Sequence, residues 1–412
     1  MARHRGRIGP FPRWAVAVAA VLLVAAGAAL WFVAARRDTP NSGARPPGAA
    51  PGSSSAGSPS ASPSADCAAT LATKLTLEQQ VGQLVMIGTP IGTPLNAVQA
   101  IQRYQLGGIF LAGRSTASAA SLQQSIGQLQ AAAAKSSGLG LQIGVDQEGG
   151  QVQTLKGTDF PLIPSAVNQG KLDDATLKSR TAEWAGRLKA IGVTIDLAPV
   201  ADVVPASVGK ANPPIGGFDR QYGATPEPVA ADVATVVTAI QGAGVLATVK
   251  HFPGLGRVRV NTDTSTGARD DVTTADDPAL QPFVSGISAG TAAVMISSAT
   301  YPKLDAANVA AFSTPIVTGL LRQKLGFDGL VLSDDLGAAV AVNAVPLGQR
   351  AVRFVKAGGD VALSVKLSDA GPWTDALLAA AKADPAFAAR VTESATRVVR
   401  AKLRAGLARC GG

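Results

Sequence analysis

The sequence predicts an α/β fold, a (β/α)8 or TIM barrel, on two observations. Strand-like and helix-like segments alternate through eight units between about residue 75 and residue 408. Several apolar runs also stop abruptly at charged residues, as barrel strands do where they reach the open end. A doubly wound open sheet is the main alternative, but it needs a glycine-rich phosphate loop after an early strand. The sequence has no such loop there.

The predicted elements follow in order along the chain. Strand-like runs occupy residues 81–87, 107–112, 142–146, 195–200, 245–249, 292–296, 329–332 and 360–364. Apolar residues recur at helical spacing between them, for example at Leu122, Ile126 and Leu129. Later helices are expected around residues 280–287, 315–325, 349–357 and 373–408.

The N-terminal region has a different composition from the rest of the chain. Trp14 to Ala35 carries no charge and is long enough to span a bilayer as a helix, for which ~20 residues suffice. Four arginines precede it, which indicates a cytoplasmic N-terminus. We therefore expect residues 1–37 to be a basic stub and a transmembrane anchor, with a long signal peptide as the alternative. The protein would then be exported, either anchored to the outer face of the cytoplasmic membrane or secreted.

A linker is expected between the anchor and the barrel domain. Residues 38–66 are almost wholly Pro, Ser, Gly and Ala, so they bury too little apolar surface to offset their ordering entropy and are expected to be disordered. Residues 67–412 would form the barrel domain. Its two ends carry the only cysteines, Cys67 and Cys410, which in an exported protein could form a disulfide. Two free thiols are the alternative.

The net charge of +9 is concentrated at the N-terminus, where residues 1–45 hold seven arginines against the single acidic residue Asp38. No basic and aromatic stripe follows in the remaining chain. Nucleic acid is therefore not expected as a partner. We expect the protein to be a monomer that meets the membrane through its N-terminal helix.

The residues at the predicted strand ends are mainly carboxylates. Asp146, Glu148, Asp202, Asp334 and Asp335 would converge with Lys250, His251 and Arg220. One barrel histidine and no loop cysteine make a poor transition-metal site, whereas an oxygen-ligated Mg²⁺ or Ca²⁺ stays open; no metal or cofactor is predicted. The set suits glycoside hydrolysis, in which a carboxylate attacks the anomeric carbon, an acid protonates the leaving oxygen and polar groups hold hydroxyls.

Four motifs resemble glycoside hydrolase family 3, and closest among its members the bacterial β-N-acetylglucosaminidases that act on peptidoglycan fragments. They are Lys250-His-Phe-Pro-Gly, Asp146-Gln-Glu-Gly-Gly, Leu197-Ala-Pro-Val-Ala-Asp202 and Ser333-Asp-Asp-Leu336, within a similarity over residues 72–408. The resemblance implies a retaining mechanism with Asp334 as nucleophile, an N-cap being its alternative role. It also implies sugar binding by Asp146, Lys250, His251 and Arg220. Glu148 and Asp202 would bind sugar or brace the loops.

The resemblance fails at the acid/base. Those enzymes carry a Pro-Gly-His-Gly loop and an Asp-Ser-His triplet, whereas this chain has Pro253-Gly-Leu-Gly256 and Asn261-Thr-Asp263. Asp263 is therefore the candidate acid/base, with a solvated loop residue as its alternative role and Asp270 and Asp271 as weaker substitutes. We also expect no Glu-bearing second domain like that of the family's glucosidases.

The predicted function is a retaining exo-β-glycosidase, a β-N-acetylglucosaminidase acting on oligosaccharides derived from the cell wall. A β-glucosidase and a sugar-binding protein with impaired catalysis are the alternatives. The site also carries a geometric prediction, because successive strand residues point to opposite faces. Lys250 and His251 can both reach the pocket only if the backbone is irregular over Lys250–Phe252.

Overall fold

Residues 63–411, described here by a computed structural model, form a closed barrel of eight parallel strands. The strands are β1 (Val85–Pro90), β2 (Gly108–Ala112), β3 (Gln142–Val145), β4 (Ile195–Asp196), β5 (Leu246–Phe252), β6 (Ala293–Ile296), β7 (Leu330–Asp335) and β8 (Val361–Ser364). Each strand pairs in parallel with the next, and β8 pairs with β1. The predicted barrel is confirmed.

The longer helices alternate with these strands or flank them. They are α1 (Pro63–Thr73), α2 (Leu77–Gln83), α3 (Val98–Tyr104), α4 (Ala119–Ser136), α5 (Asp174–Ala190), α6 (Pro226–Gly242), α7 (Gln281–Ser288), α8 (Pro315–Lys324), α9 (Leu347–Ala357), α10 (Ala370–Ala383) and α11 (Pro385–Ala405). The bonds of α8 are of the π type. Two short hairpins lie in the connections between strands and helices. They are Gln147–Gly149 with Val152–Gln153 and Thr300–Tyr301 with Asp305–Val309.

The first predicted strand begins four residues late. Val81 belongs to α2, because Thr76 and Gln79 form a capping box that starts a helix there. The Thr76 side chain accepts the Gln79 N–H at 3.2 Å, while the Gln79 side chain accepts the Thr76 N–H at 2.9 Å. Such a cap is worth about 1 kcal/mol, enough to favour a helix over a strand in a short apolar run.

The barrel interior is filled by the side chains on one face of each strand, since strand residues alternate in direction. Met86, Phe110 and Leu332 belong to this interior cluster. Met86 occupies the space that the absent side chain of Gly108 leaves, because a Cβ there would lie 2.7 Å from the Met86 Cε. Residues of α11 join the same cluster, so this helix closes the end of the barrel where the strands begin.

The predicted fold class needs correction in its N-terminal part. No helix among residues 63–411 is long and apolar enough to cross a membrane. The helices of this region are amphipathic instead; α11, for example, buries Val391 and Val398 and carries Arg390 and Arg397 in ion pairs. The expected transmembrane segment, residues 14–35, lies outside the described residues.

The predicted boundary between the linker and the barrel domain also needs correction. The disordered segment was expected to reach residue 66, but α1 begins at Pro63, a residue well suited to a first helical turn. Residues 38–62 lie outside the described part of the chain. The disulfide prediction is confirmed, because Cys67 in α1 and Cys410 after α11 are bonded, with Cα atoms 5.8 Å apart.

Candidate active site

A pocket of about 380 Å³ opens at the carboxyl ends of the strands, the face where barrel enzymes place their active sites. Seven of the predicted site residues line it: Asp146, Arg220, Lys250, His251, Asp263, Asp334 and Asp335. Glu148 and Asp202, the other two, lie directly behind it and contact its cations and its histidine. The structure thus brings all nine together.

Strand periodicity explains why two of these residues point inward. Lys250 lies four residues after Leu246 and Asp334 two residues after Leu332, and both leucines belong to the interior cluster. Even spacing along a strand keeps side chains on one face. Lys250 and Asp334 therefore continue the inward rows of β5 and β7 beyond the apolar core and into the pocket.

His251 reaches the same pocket because the backbone of β5 is irregular at its end. The Lys250–His251 peptide bond is cis, as is the Phe252–Pro253 bond that follows. The pairing of β5 with β6 shifts register between Val249 and Phe252. Both Lys250 and His251 line the pocket as a result. The predicted irregularity over Lys250–Phe252 is confirmed.

Lys250 is held between two carboxylates. Its Nζ lies 2.7 Å from Asp146 Oδ1 and 2.6 Å from Glu148 Oε1. Glu148 also accepts two bonds from Arg220, at 2.8 Å from Nε and 2.7 Å from Nη2. Burial would raise the pKa of Glu148, but the charges of Arg220 and Lys250 outweigh it and lower the pKa to about 2. Glu148 therefore stays ionised and braces both cations.

The hydrogen bonds of His251 identify its tautomer. Nδ1 lies 2.7 Å from Asp202 Oδ2, and Nε2 lies 3.2 Å from Arg220 Nη2. A guanidinium can only donate, so Nε2 must accept and Nδ1 must carry the proton. Asp202 also accepts the Leu255 N–H at 2.7 Å and thereby fixes the loop that follows β5. In this arrangement Nε2 accepts from Arg220 and Nδ1 faces Asp202, so neither nitrogen is placed to give a proton to a leaving group.

The adjacent aspartates Asp334 and Asp335 have different surroundings. Asp335 accepts backbone N–H groups from Gly337, Ala338 and Val365, so it fixes the turn after β7 and the end of β8. Asp334 Oδ1 accepts the Asp335 N–H at 2.8 Å, and no described residue donates to Oδ2. Burial raises the pKa of Asp334, and the nearby charge of Asp263 adds to this effect.

Asp263 lies at the solvent-exposed mouth of the pocket, on the connection between β5 and α7. Its carbonyl accepts the Val340 N–H at 3.2 Å, so the connection rests on the segment after β7. The surrounding protein raises the pKa of Asp263 by desolvation, and the charges of Asp335 and Asp146 act in the same direction. No described residue donates a hydrogen bond to its carboxyl group.

The weaker substitutes for Asp263 are engaged elsewhere. Asp270 is buried and accepts the N–H groups of Val272 and Thr273, which makes it a turn cap. Asp271 is exposed and pairs with Arg269 at 2.6 Å. Neither residue lines the pocket. Of the three candidates, only Asp263 has access to it.

Two residues that sequence reasoning did not single out contact the site or its surroundings. Asp196 is buried in β4 and accepts the Gln147 N–H at 3.0 Å, directly after Asp146. Its signal was a carboxylate inside an otherwise apolar strand. Arg114 follows β2 and lines a second cavity that adjoins the pocket. Its signal was a charged residue directly after an apolar strand, the same criterion that identified the other site residues.

Metal binding has no clear candidate here. Among residues 63–411, no group of three or more histidine, cysteine, aspartate or glutamate side chains has the arrangement of metal ligands. The site carboxylates are instead engaged by Lys250, Arg220, His251 and backbone N–H groups. What the arrangement offers chemically is two carboxyl groups with raised pKa, Asp334 and Asp263, beside a fixed set of hydrogen-bonding residues.

Comparison with known proteins agrees with this geometry. Residues 76–401 match the model of the glycosyl hydrolase family 3 N terminal domain. A β-hexosaminidase of Xanthomonas axonopodis pv. citri is 35% identical over 272 residues, which are 64% of this chain and 77% of that protein.

Two solved structures are similar along most of the chain. A β-N-acetylhexosaminidase from Beutenbergia cavernae is 46% identical, with a TM-score of 0.78 over 80% of this chain and 98% of that one. A family 3 β-N-acetylglucosaminidase from Paenibacillus sp. is 33% identical, with a TM-score of 0.74 over 81% of this chain and 63% of that one. The chain therefore belongs to glycoside hydrolase family 3, as its motifs predicted.

Proposed function

We propose that this protein is a retaining exo-β-N-acetylhexosaminidase that removes terminal N-acetylglucosamine from cell-wall oligosaccharides. The observation that carries the proposal is the pair of carboxyl groups, Asp334 and Asp263, which line one pocket and both have a pKa raised by desolvation. Retaining glycosidases use such a pair. A pocket of about 380 Å³, rather than a long cleft, suits the terminal sugar of a chain.

The mechanism assigns one step to each carboxyl group. Asp334 attacks the anomeric carbon and forms a glycosyl–enzyme ester while the bond to the leaving oxygen breaks, and Asp263 gives that oxygen a proton. Water then attacks the same carbon; Asp263 takes its proton and Asp334 leaves as a carboxylate. Lys250 and Asp146 hold sugar hydroxyls, and Arg220 and His251 line the wall beside them.

The surroundings favour this division of roles. The charge of Asp263 raises the pKa of Asp334, so the two carboxyl groups can retain one proton between them over an intermediate pH range. Asp334 accepts a backbone N–H, which favours its ionised form, whereas Asp263 has no donor among the described residues. The backbone N–H supports a carboxylate at Asp334, which we assign as the nucleophile. Asp263 at the mouth of the pocket is placed to give the leaving group its proton.

The preference for an acetamido sugar rests on the relatives, which are named as hexosaminidases. Trapping with 2-fluoro and 5-fluoro glycosides tests both the nucleophile and the sugar. We expect the label on Asp334 from a 5-fluoro acetamido probe and little label from a gluco probe. Label on another residue would reject Asp334 as nucleophile, and label from the gluco probe alone would favour the β-glucosidase alternative. No label from any probe would favour the sugar-binding alternative.

The leaving part of the substrate has a place beside the pocket. A second cavity of about 320 Å³ shares Phe110, Asp146, Val152 and Val365 with it. Arg114 lines this cavity, donates to the Gln151 carbonyl and has no acidic partner within 4.0 Å among the described residues. A cation in this position favours a leaving sugar that carries a carboxylate. The muramic acid unit of a cell-wall glycan carries a free carboxylate where no peptide is attached, which fits the proposed substrate.

Arg114 supplies a test of that preference. Arg114→Gln should lower kcat/KM about 10-fold for a disaccharide with an acidic leaving sugar, because a charge-assisted bond is lost. It should leave the neutral disaccharide unchanged within twofold. Arg103→Gln, a substitution of an arginine on α3 that contacts Tyr104, is the control. Equal losses on both disaccharides would reject the charge argument.

Export is proposed together with this substrate. The Cys67–Cys410 disulfide supports it, because such bonds persist in oxidising compartments outside the cytoplasm. Fractionation of cells and detection of the protein outside the cytoplasmic membrane is the test. Recovery in the cytoplasm with free thiols would reject this part of the proposal.

A further inference from the structure

Asp196 is a buried carboxyl group behind the pocket and has no assigned role. It is 4% exposed and ends β4, a strand of only two residues between β3 and β5. Its Cα pairs with Val145 on one side and Ala247 on the other. Its Oδ1 accepts the Gln147 N–H at 3.0 Å.

The fold alone does not require a carboxylate at this position. Asp360, another fully buried aspartate, is neutralised by Arg322 and by Arg390 at 3.1 Å. Asp196, by contrast, has no cation within 4.0 Å among the residues that the structure describes. A buried carboxyl without such a partner is costly to ionise. An uncharged residue of similar size would serve β4 better, so the carboxylate calls for a functional explanation.

The position of the Gln147 N–H provides one. This group lies between Asp146 and Glu148, the two residues that hold Lys250. The Gln147 side chain is fixed as well, because it donates to the Leu155 carbonyl at 3.0 Å and accepts the Leu155 N–H at 2.9 Å. Movement of the Gln147 backbone would therefore displace both carboxylates and release Lys250.

We propose that Asp196 is a positioning residue for the glycosidase reaction, which holds the backbone between Asp146 and Glu148 and adds a negative charge beside them when it ionises. The inference rests on the proposed function, since it concerns the residues that hold the sugar. Asp196 itself acts through Asp146 and Lys250 rather than on the substrate.

The charge state of Asp196 changes within the physiological pH range. Burial raises its pKa to about 7; the Gln147 N–H and Lys250 oppose the rise, and Asp146 and Glu148 add to it. Tyr222 is the other titratable group that senses its charge. Above this pH the ionised carboxylate strengthens its bond to the Gln147 N–H and makes the pocket more negative, and both effects favour a positively charged sugar transition state.

Two substitutions separate positioning from charge. Asp196→Asn keeps an oxygen acceptor for the Gln147 N–H but cannot ionise, whereas Asp196→Ala removes the acceptor. The substrate is nitrophenyl N-acetyl-β-glucosaminide, whose leaving group needs little protonation, so loss of the Asp263 proton does not mask the effect. Values of kcat and KM are measured from pH 5.5 to pH 8.5.

We expect Asp196→Ala to lower kcat/KM on the order of 10-fold to 100-fold, because a displaced sugar-binding group costs that much. Asp196→Asn should match the wild type within about threefold below pH 6. The ratio of wild type to Asp196→Asn should then rise several-fold, with its midpoint near the pKa of about 7. The matched control is Asp232→Asn on α6, where burial raises the pKa of a carboxyl outside the pocket to about 6. This variant should keep the wild-type profile.

A ratio that does not change with pH, or one that falls, would overturn the charge role. An Asp196→Ala variant as active as the wild type would overturn the positioning role; if that variant fails to fold, the Asp196→Asn comparison decides. A wild type inactive on every hexosaminide would instead reject the proposed function. An active wild type with a flat ratio rejects only this inference.

Discussion

Asp263 and Asp334 show how two side chains of one type receive different tasks from their surroundings. Asp334 accepts a backbone N–H at the pocket floor, whereas Asp263 stands at the mouth without a donor among the described residues. Desolvation raises both pKa values, and the charge of Asp263 adds to the rise at Asp334. The reaction needs a protonated Asp263 at the mouth of the pocket and an ionised Asp334 inside it.

Replacement of Asp263 tests this assignment at the residue scale. Asp263→Asn should lower the rate of glycosylation about 10²-fold to 10⁴-fold for an unactivated disaccharide, because the leaving oxygen then receives no proton. The nitrophenyl glycoside should lose far less in the same step. Stopped-flow release of the leaving group measures both. Asp271→Asn, on the same connection and exposed, is the control; equal losses on both substrates would reject the acid role.

The pH dependence follows from the same two groups. A raised pKa keeps Asp263 protonated to higher pH than an ordinary aspartate, so hydrolysis of the disaccharide should decline on the alkaline side as Asp263 ionises. On the acid side, activity should decline as Asp334 gains a proton. With Asp263→Asn the alkaline decline should disappear and the acid decline should remain. An unchanged alkaline limb would assign it to another group.

Most site residues could be predicted because each follows an apolar strand, and strand ends meet at one face of a barrel. Lys250 and Asp334 are of this kind. The sequence marks Asp196 as a carboxylate in an apolar strand, but its role could not be predicted, because it depends on a contact with Gln147, 49 residues away in sequence. The hydrogen-bond partners of His251 could not be predicted either, since Arg220 and Asp202 approach it from two other connections.

At the scale of elements, the connection between β5 and α7 determines whether Asp263 faces the pocket. Its two ends are held by side chains: Arg257 pairs with Asp277 through two bonds of 2.7 and 3.0 Å, and the Tyr301 hydroxyl donates to the Gly254 carbonyl at 2.9 Å. From the sequence, the connection between β5 and α7 is recognisable only as a region without strand or helix periodicity. The contacts that hold it are made by residues far apart in the chain.

Arg257→Gln should loosen this connection. We expect kcat for the unactivated disaccharide to decrease about 10-fold, because Asp263 is then less often in place, with a smaller change for the nitrophenyl glycoside. Steady-state kinetics on both substrates measure the difference. Arg269→Gln, which removes only the exposed pair with Asp271, is the control. A uniform loss on both substrates would indicate general damage rather than a misplaced acid.

The elements themselves were predictable where periodicity was strong and were misplaced where a local cap competed. Strand β1 begins later than predicted because Thr76 caps a helix before it. The expected linker is shorter than predicted because a helix begins at Pro63. The hairpin at Gln147–Gly149 was not foreseen, since its partner strand at Val152–Gln153 is only two residues long. Short elements of this kind depend on the barrel that surrounds them.

At the scale of the whole molecule, the disulfide and α11 hold the two ends of the barrel domain together. The bond joins residues 343 positions apart, and α11 packs on the first helices as well as on the barrel floor. A cross-link over so long a segment removes much entropy from the unfolded chain, typically worth 2–4 kcal/mol.

Removal of the disulfide should lower stability and leave the chemistry intact. Cys67→Ser with Cys410→Ser should lower Tm by about 3–5 °C, given the unfolding entropy of a domain this large. The kcat/KM should stay within twofold, because the bond is remote from the pocket. Differential scanning calorimetry with and without reductant measures the effect; reductant should lower the wild-type Tm and not that of the double variant. Equal Tm values would show that the bond contributes nothing.

The neighbouring positions of Cys67 and Cys410 also mean that the starting point of this domain along the polypeptide is arbitrary. Because those Cα atoms lie 5.8 Å apart, a linker of a few residues could join the two ends of the domain. New termini could be placed between the exposed residues Lys382 and Ala383. Such a circular permutant would begin near α11 and finish with α10, yet would enclose the same pocket. The fold of this domain should therefore not depend on the order in which its strands are synthesised.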